Sequence, residues 1–349
     1  MTSRERVKRT LDFQYPDRAP RDLWALAGVG MLRKAELEEV QQRFPSDFCG
    51  PRVRYGTSKR ARGTPAEVGE YVDEWGCVWN VAEIGVCGEV KQPPLEDWSA
   101  LAHFTPPWEI LNEADFSQTN ESCAKTDKFV KAGTGVRPFE RMQFLRGSEN
   151  LFLDLAYLPK ELLLLRDMVH EYFVRELELW VKTDVEAIGF MDDWGAQSSL
   201  LISPDLWRQI YKPLYADYCS MIKKAGKYVF FHSDGHIRAI IPDLIEIGVD
   251  AMNSQLFCMD IEEIGRSFKG KITFWGEICR QRLLPFGTVD EVRAAVRRVR
   301  RALDEGKGGV IAQCEWGIRD PKENIEAVFE TWSEDHPASV TARLSTTTS

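Results

Sequence analysis

A (β/α)8 barrel of the α/β class with an N-terminal elaboration is the fold this sequence predicts, and three observations predict it. From Phe129 onward short apolar runs alternate steadily with stretches of helical spacing, the pattern of parallel βαβ units. The later apolar runs end, on their carboxyl side only, in metal-capable or polar side chains, whereas their amino ends carry solvent-type lysines such as Lys227 and Lys271. No GxGxxG opens a helix and no GxxxxGK[ST] occurs, which argues against the nucleotide-binding doubly wound folds.

In chain order, residues 3–13 place Val7, Leu11 and Phe13 on one side of a short amphipathic helix. The turn Tyr15-Pro-Asp-Arg-Ala-Pro20 leads into a first strand, Leu23 to Ala27. Residues 50–127 are less regular and read as an excursion over the amino-terminal half of the barrel. Within them Glu70–Asn80 and Gly85–Val90 look like paired strands that end at Pro93-Pro94, and one further barrel strand is expected from the same region. The remaining strands are Phe129–Gly133, Ala187–Asp192, Tyr228–His232, Ala251–Ser254, Ile272–Glu277 and Val310–Cys314. Helices are expected near 138–157, 160–182, 204–225, 236–247, 260–268, 288–305 and 321–333. The total of about eight strands is the number that closes a barrel, giving one domain over residues 1–336. Residues 337–349, rich in Ser and Thr, are expected to fray as a flexible tail.

Composition narrows the function. The 349 residues are 28% charged and 44% hydrophobic with a formal charge of −9, which offers no basic face to nucleic acid or anionic lipid. No apolar run approaches the roughly 20 residues that cross a bilayer, and Met1–Arg6 has no signal-peptide core, so a cytoplasmic protein is expected. The eight cysteines lack CxxC spacing and read as free thiols.

The candidate site is the set of side chains at the carboxyl strand ends, where α/β barrels bind ligands. The run Tyr228-Val-Phe-Phe-His-Ser-Asp-Gly235 puts His232 and Asp234, two residues apart, on the face of Phe230. Asp192 and Asp193 close the preceding strand, Asn253 and Gln255 the following one, Glu277 the next, and Cys314 with Glu315 the last. His, Asp, Glu and Cys are the side chains that bind zinc, and a catalytic zinc takes three of them and keeps one position open. His232, Glu277 and Cys314, with Asp234 as a fourth, are therefore the expected metal ligands. Asp193, Asp234 and Glu277 are the expected catalytic carboxylates, and Asp192, Asn253, Gln255 and Trp316 the expected substrate contacts. Adjacent strand residues point to opposite faces, so Asp192 and Asp193 cannot form a dyad sharing one proton. Core packing is the expected role for most of the aromatic group Trp75, Trp79, Phe274, Trp275 and Trp316.

Several segments together resemble the uroporphyrinogen decarboxylase superfamily over nearly the whole chain. They are Arg4–Phe13 with Pro16–Pro20, Asp73-Glu-Trp-Gly-Cys-Val-Trp79, Leu201–Trp207 with Lys212-Pro213, His232–Gly235 with Ile240–Leu244, and Leu284-Pro-Phe-Gly-Thr288. The resemblance is closest to the corrinoid-dependent methyltransferase branch and implies a (β/α)8 barrel with its site at the carboxyl rim. Decarboxylases of the family hold their tetrapyrrole with a Met-Arg-Gln-Ala-Gly-Arg segment after the first strand. Here Asp22-Leu-Trp-Ala-Leu-Ala-Gly-Val-Gly30 has neither arginine, which disfavours porphyrinogen decarboxylation. The methyltransferases bind zinc through His-x-Cys and a later Cys; this chain has His232 and Cys314 but Asp234 in place of the first Cys, a harder donor that moves the site toward oxygen ligands.

The resemblance thus implies metal-assisted transfer of a methyl group from a small, optionally aromatic, methyl ether to a corrinoid. No Asp-x-His-x-x-Gly segment is present to hold that corrinoid, so a corrinoid-binding partner protein is expected, with a homodimer as a further option. The alternatives are zinc-dependent methyl transfer to a thiol, a decarboxylase-like enzyme, and a noncatalytic tetrapyrrole- or corrinoid-binding protein.

Overall fold

Alternation of side chains along the strands divides the apolar core of this protein in two, as a barrel requires. In the computed structural model, which describes residues 1–334, one cluster gathers Phe48, Phe129, Ala187, Phe230, Ala251, Trp275 and Ile311 inside the ring. Their sequence neighbours Val130, Ile188, Val229, Phe231, Met252, Phe274, Val310 and Ala312 belong to a second cluster, packed under the surrounding helices.

The strands are β1 (Arg21–Ala25), β2 (Phe48–Cys49), β3 (Gly69–Val72), β4 (Val78–Val81), β5 (Glu89–Gln92), β6 (Phe129–Gly133), β7 (Ala187–Met191), β8 (Tyr228–Ser233), β9 (Ala251–Ser254), β10 (Thr273–Trp275) and β11 (Val310–Trp316). Eight of them form a parallel sheet in the order β1-β11-β10-β9-β8-β7-β6-β2, with helices between, a nearly closed (β/α)8 barrel. Its seam lies between β1 and β2, where Asp47 gathers most of the hydrogen bonds. Asp47 N–H donates to Arg21 O (2.9 Å), and the Asp47 carboxylate accepts from Arg21 N (2.7 Å), Arg6 Nη1 (2.7 Å), Arg18 Nη1 (2.8 Å) and Ser3 Oγ (2.6 Å).

The helix Ser3–Leu11 begins at a Thr2 cap, whose hydroxyl accepts from Glu5 N–H, and turns Val7 and Leu11 into the inner cluster. It closes the amino end of the barrel.

The structure departs from the expected elements at definite points. The eighth barrel strand is β2, at residues 48–49, ahead of the irregular region rather than inside it; two residues leave no periodicity to detect. Within that region the paired strands are three, β3-β4-β5, antiparallel. The first helix stops at Leu11, because Phe13 takes a φ of 55°. The stretch 138–157 is two helices, Pro138–Arg146 and Ser148–Tyr157, broken at Gly147 (φ 81°), and 204–225 is likewise split, at Tyr211. Helices Ala27–Leu32 and Lys34–Arg43 were not anticipated from periodicity. The expected tail, 337–349, lies outside the described residues.

All eight cysteines are free. No helix among the described residues is long and apolar enough to cross a membrane.

Candidate metal centre at the barrel mouth

Three side chains converge where β7 and β8 end. One ligand atom each from Asp193, His232 and Asp234 lies within 4.8 Å of the others. His232 Nε2 is 3.5 Å from Asp193 Oδ1 and 3.5 Å from Asp234 Oδ1. The register explains the convergence: Met191 pairs with His232 across β7 and β8, so Asp193 and Asp234 lie the same two residues beyond that pair. The two chain segments can approach there because both carry glycine. A Cβ on Gly235 (φ 76°) would lie 2.1 Å from Gly195 O, and Gly195 N–H donates to Asp234 O at 3.0 Å.

The tautomer of His232 is fixed from behind. Asn253 Nδ2 donates to Trp275 O and to Gln313 Oε1 (3.0 Å); a backbone carbonyl is only an acceptor, so the amide orientation of Asn253 is determined. Its Oδ1 lies 2.6 Å from His232 Nδ1, which must then carry the proton and donate. In this tautomer it is Nε2 that is left to face the two carboxylates, as in a metal-binding histidine with its other nitrogen anchored.

Charge at this mouth is predominantly negative. Arg280 lies against Asp234 Oδ2, Glu315 Oε1 (2.5 Å) and Glu277 Oε2 (3.9 Å). Glu140 faces Asp193 and His232 from the first turn of Pro138–Arg146, with Arg137 3.9 Å from its Oε1. Five carboxylates thus meet two guanidiniums. Burial, reinforced by the Asp234 charge and opposed by His232, raises the carboxyl of Asp193, and burial pushes Glu277 well above the usual range despite Arg280. Asp234 Oδ1 and Glu140 Oε2 are buried without a hydrogen-bond partner. Two hard oxygens and one imidazole nitrogen, one of the oxygens orphaned, in excess negative charge, fit a divalent cation of the zinc, iron or manganese kind.

Several expected site residues are elsewhere. Cys314 is fully buried on the outer face of β11, between Gln313 and Glu315, which point inward; it sits in the apolar layer under the helices. Burial pushes its thiol well up, and Cys314 lies outside the group of ligand atoms formed by Asp193, His232 and Asp234. Asp192, also fully buried, points outward and caps Pro138–Arg146: it accepts from Phe139 N (2.7 Å), Glu140 N (2.8 Å) and Tyr215 OH (2.5 Å), which leaves it no substrate role. Trp316 faces outward too, its Nε1 donating to Asp320 O (3.0 Å) and its ring covered by Arg33. Gln255 Oε1 accepts from Gly235 N (3.2 Å) and Cys258 Sγ (3.3 Å), bracing the turn rather than meeting a ligand. Asn253 orients His232, and Glu277 stands behind Arg280.

Sequence reasoning missed Glu140, Arg137 and Arg280. None lies in a strand, and nothing in residues 138–146 distinguishes a helix-start glutamate from solvent-facing ones until Asp192 fixes the helix against the barrel mouth.

Glu140 gives a pH test. Burial first, then the Asp193 charge, carries its carboxyl to about 7 from an ordinary 4.5, so the folded chain binds this proton more tightly than the unfolded chain. Stability is therefore lost as pH rises from about 4.5 to about 7, by about 3 kcal/mol at most. Metal-free Glu140→Gln is expected to match the parent near pH 4.5 and to melt at higher temperature near pH 8. A melting difference equal at both pH values would refute the assignment.

Residues 87–334 match the family described as uroporphyrinogen decarboxylase (URO-D). Among solved structures, a methyltransferase from Methanosarcina mazei aligns with TM-score 0.65 and 16% identity, over 95% of this chain and 98% of that one. Xylanase 10B from Thermotoga maritima aligns with TM-score 0.46 and 10% identity, over 95% and 98% of the two chains. Dihydropteroate synthase from Burkholderia cenocepacia aligns with TM-score 0.33 and 12% identity, over 48% and 64%. No curated protein sequence matches.

Proposed function

The chain belongs to the uroporphyrinogen decarboxylase family, and from that premise we propose that it is a methyltransferase that moves a methyl group from a small methyl ether to a corrinoid. Its cation would be held by Asp193, His232 and Asp234. The observation that carries the reading is this cluster: an imidazole with its Nε2 turned to two carboxylates is built for a cation. The shared barrel of the Methanosarcina methyltransferase agrees with it, as does the missing arginine pair in Asp22–Gly30.

When bound, a divalent cation supplies Lewis acidity to an ether oxygen, making it a better leaving group. The protein's own groups do the rest. Asn253 keeps His232 in one tautomer, and Arg280 ties Asp234 to Glu315 so that the carboxylate has one orientation. Glu140, whose buried Oε2 has no hydrogen-bond partner and which faces Asp193 and His232, is the donor for the oxygen left behind when the methyl carbon departs. The corrinoid belongs to a partner protein, since the chain lacks the Asp-x-His-x-x-Gly segment that would carry one.

The test supplies the zinc-loaded protein with a panel of methoxyarenes and Co(I) cobalamin and follows methylcobalamin by its absorbance. Methyl transfer by the parent and its loss in Asp193→Asn is the expected result. A metal-loaded parent inert with every donor, or an Asp193→Asn variant of full activity, would overturn the reading.

A further inference from the structure

Beneath the cation site the barrel encloses a lysine whose hydrogen-bonding capacity is unused. Lys131, on β6, is inward-facing, as Phe129 is, and its Nζ lies 4.7 Å from the centroid of the Trp275 ring. Space for it comes from Gly189 on β7, where a Cβ would stand 3.4 Å from Nζ. Among the described residues no hydrogen bond is made by this ammonium. The nearest opposite charge, Asp22 on β1, is engaged otherwise: its Oδ2 accepts from the indole N–H of Trp24 (3.0 Å) and of Trp275 (2.9 Å), and Ser46 Oγ lies 3.5 Å from Oδ1. Burial lowers the pKa of this lysine, and the Asp22 charge offsets that only in part. Three N–H donors remain open.

The way to Lys131 runs from the mouth. The side chain keeps intermediate exposure although it lies inside the ring, and the amino end is closed by Val7 and Leu11 over Phe48, Phe129 and Phe230. The wall from cation site to lysine is aromatic without a break: the Trp24 ring is 5.4 Å from that of His232 and 4.8 Å from that of Trp275, on which the ammonium rests. Gly189 pairs with Phe230, and His232 stands two residues further along β8, a rise of about 7 Å. That is the span of one benzene ring with a substituent at each end.

We propose that this lumen is the substrate pocket and that Lys131 binds an anionic oxygen of the substrate, so that the methyl donor is a planar methoxy compound with a carboxylate or similar anion remote from the ether. The proposal rests on the methyl-ether reading for the ether end of the ligand, but the anion end stands on Lys131 alone. A charge-assisted hydrogen bond in a low-dielectric pocket is strong enough to select the anion over its neutral isostere.

The test is direct binding by calorimetry to zinc-loaded parent and Lys131→Met, with benzoate, 3-methoxybenzoate and 3-methoxybenzamide. The parent should bind both carboxylates and prefer 3-methoxybenzoate to the amide. Lys131→Met, checked to be folded by its far-UV circular dichroism, should lose about tenfold or more in affinity for both carboxylates and lose the preference over the amide. Equal affinity of parent and variant for benzoate, or a parent that binds the amide as well as the acid, would overturn the proposal. Benzoate has no methyl group, so Lys131-dependent binding of benzoate with no methyl transfer from any methoxyarene of the panel would sink the methyl-ether reading and leave the anion pocket standing.

Discussion

Protein carrying His232→Ala should leave a desalting column without stoichiometric divalent metal, whereas Cys314→Ala should retain as much as the parent. The first substitution removes the one nitrogen of the cluster, whose Nε2 is 3.5 Å from each carboxylate. The second removes a thiol on the opposite face of its strand, among apolar neighbours. Asn253→Leu tests the same centre at one remove: it frees Nδ1 of His232 and should weaken zinc binding by about 10- to 100-fold, with the His232→Ala loss larger still. Elemental analysis and zinc titration measure all three. A Cys314→Ala protein stripped of metal, or a His232→Ala protein fully loaded, would show the centre to be elsewhere.

Asp192→Ala should destabilise the fold by about 3 to 5 kcal/mol, the largest loss expected from any single polar substitution at this end of the barrel. The carboxylate is wholly buried and takes hydrogen bonds from two backbone N–H groups at the start of Pro138–Arg146 and from Tyr215 OH. Truncation strands all three donors away from water. Urea unfolding with an unchanged slope and a lowered midpoint would register the loss, while zinc affinity of the folded fraction should hold. A cost below about 1 kcal/mol would mean that the helix start finds other acceptors.

The adjacent aspartates show what the sequence makes legible. Strand alternation alone separates Asp192 from Asp193 and sends one inward, but it does not say which, because that depends on where the helix after β6 begins. The same alternation, applied to Gln313, Cys314 and Glu315, would have turned Cys314 outward; residue type outweighed position there, since cysteine is both a good zinc ligand and a common small core residue. Long strands with continuous apolar runs, β8 and β11 above all, are readable because burial on both faces leaves little choice of residue. A two-residue strand such as β2 is not. Nor are ion pairs made between loops: Arg280 joins Asp234, Glu277 and Glu315 only after three strand ends are brought together. Lys131 was hidden for the opposite reason, since a lysine in an apolar strand reads as an edge or solvent residue until the ring is closed around it.

The seam at Asp47 makes the protein indivisible. The stretch that matches the family, 87–334, contains β6 through β11 but neither β1 nor β2, and the last strand's ladder partner, Arg21–Ala25, which also forms one side of the seam, lies far upstream of it. Trimmed to that stretch, the barrel would be six strands with two raw edges, its lumen open along one side and Lys131 facing bulk water. Excision for engineering or for a smaller crystallisation target must therefore begin upstream of Ser3, whose hydroxyl already takes part in the closure.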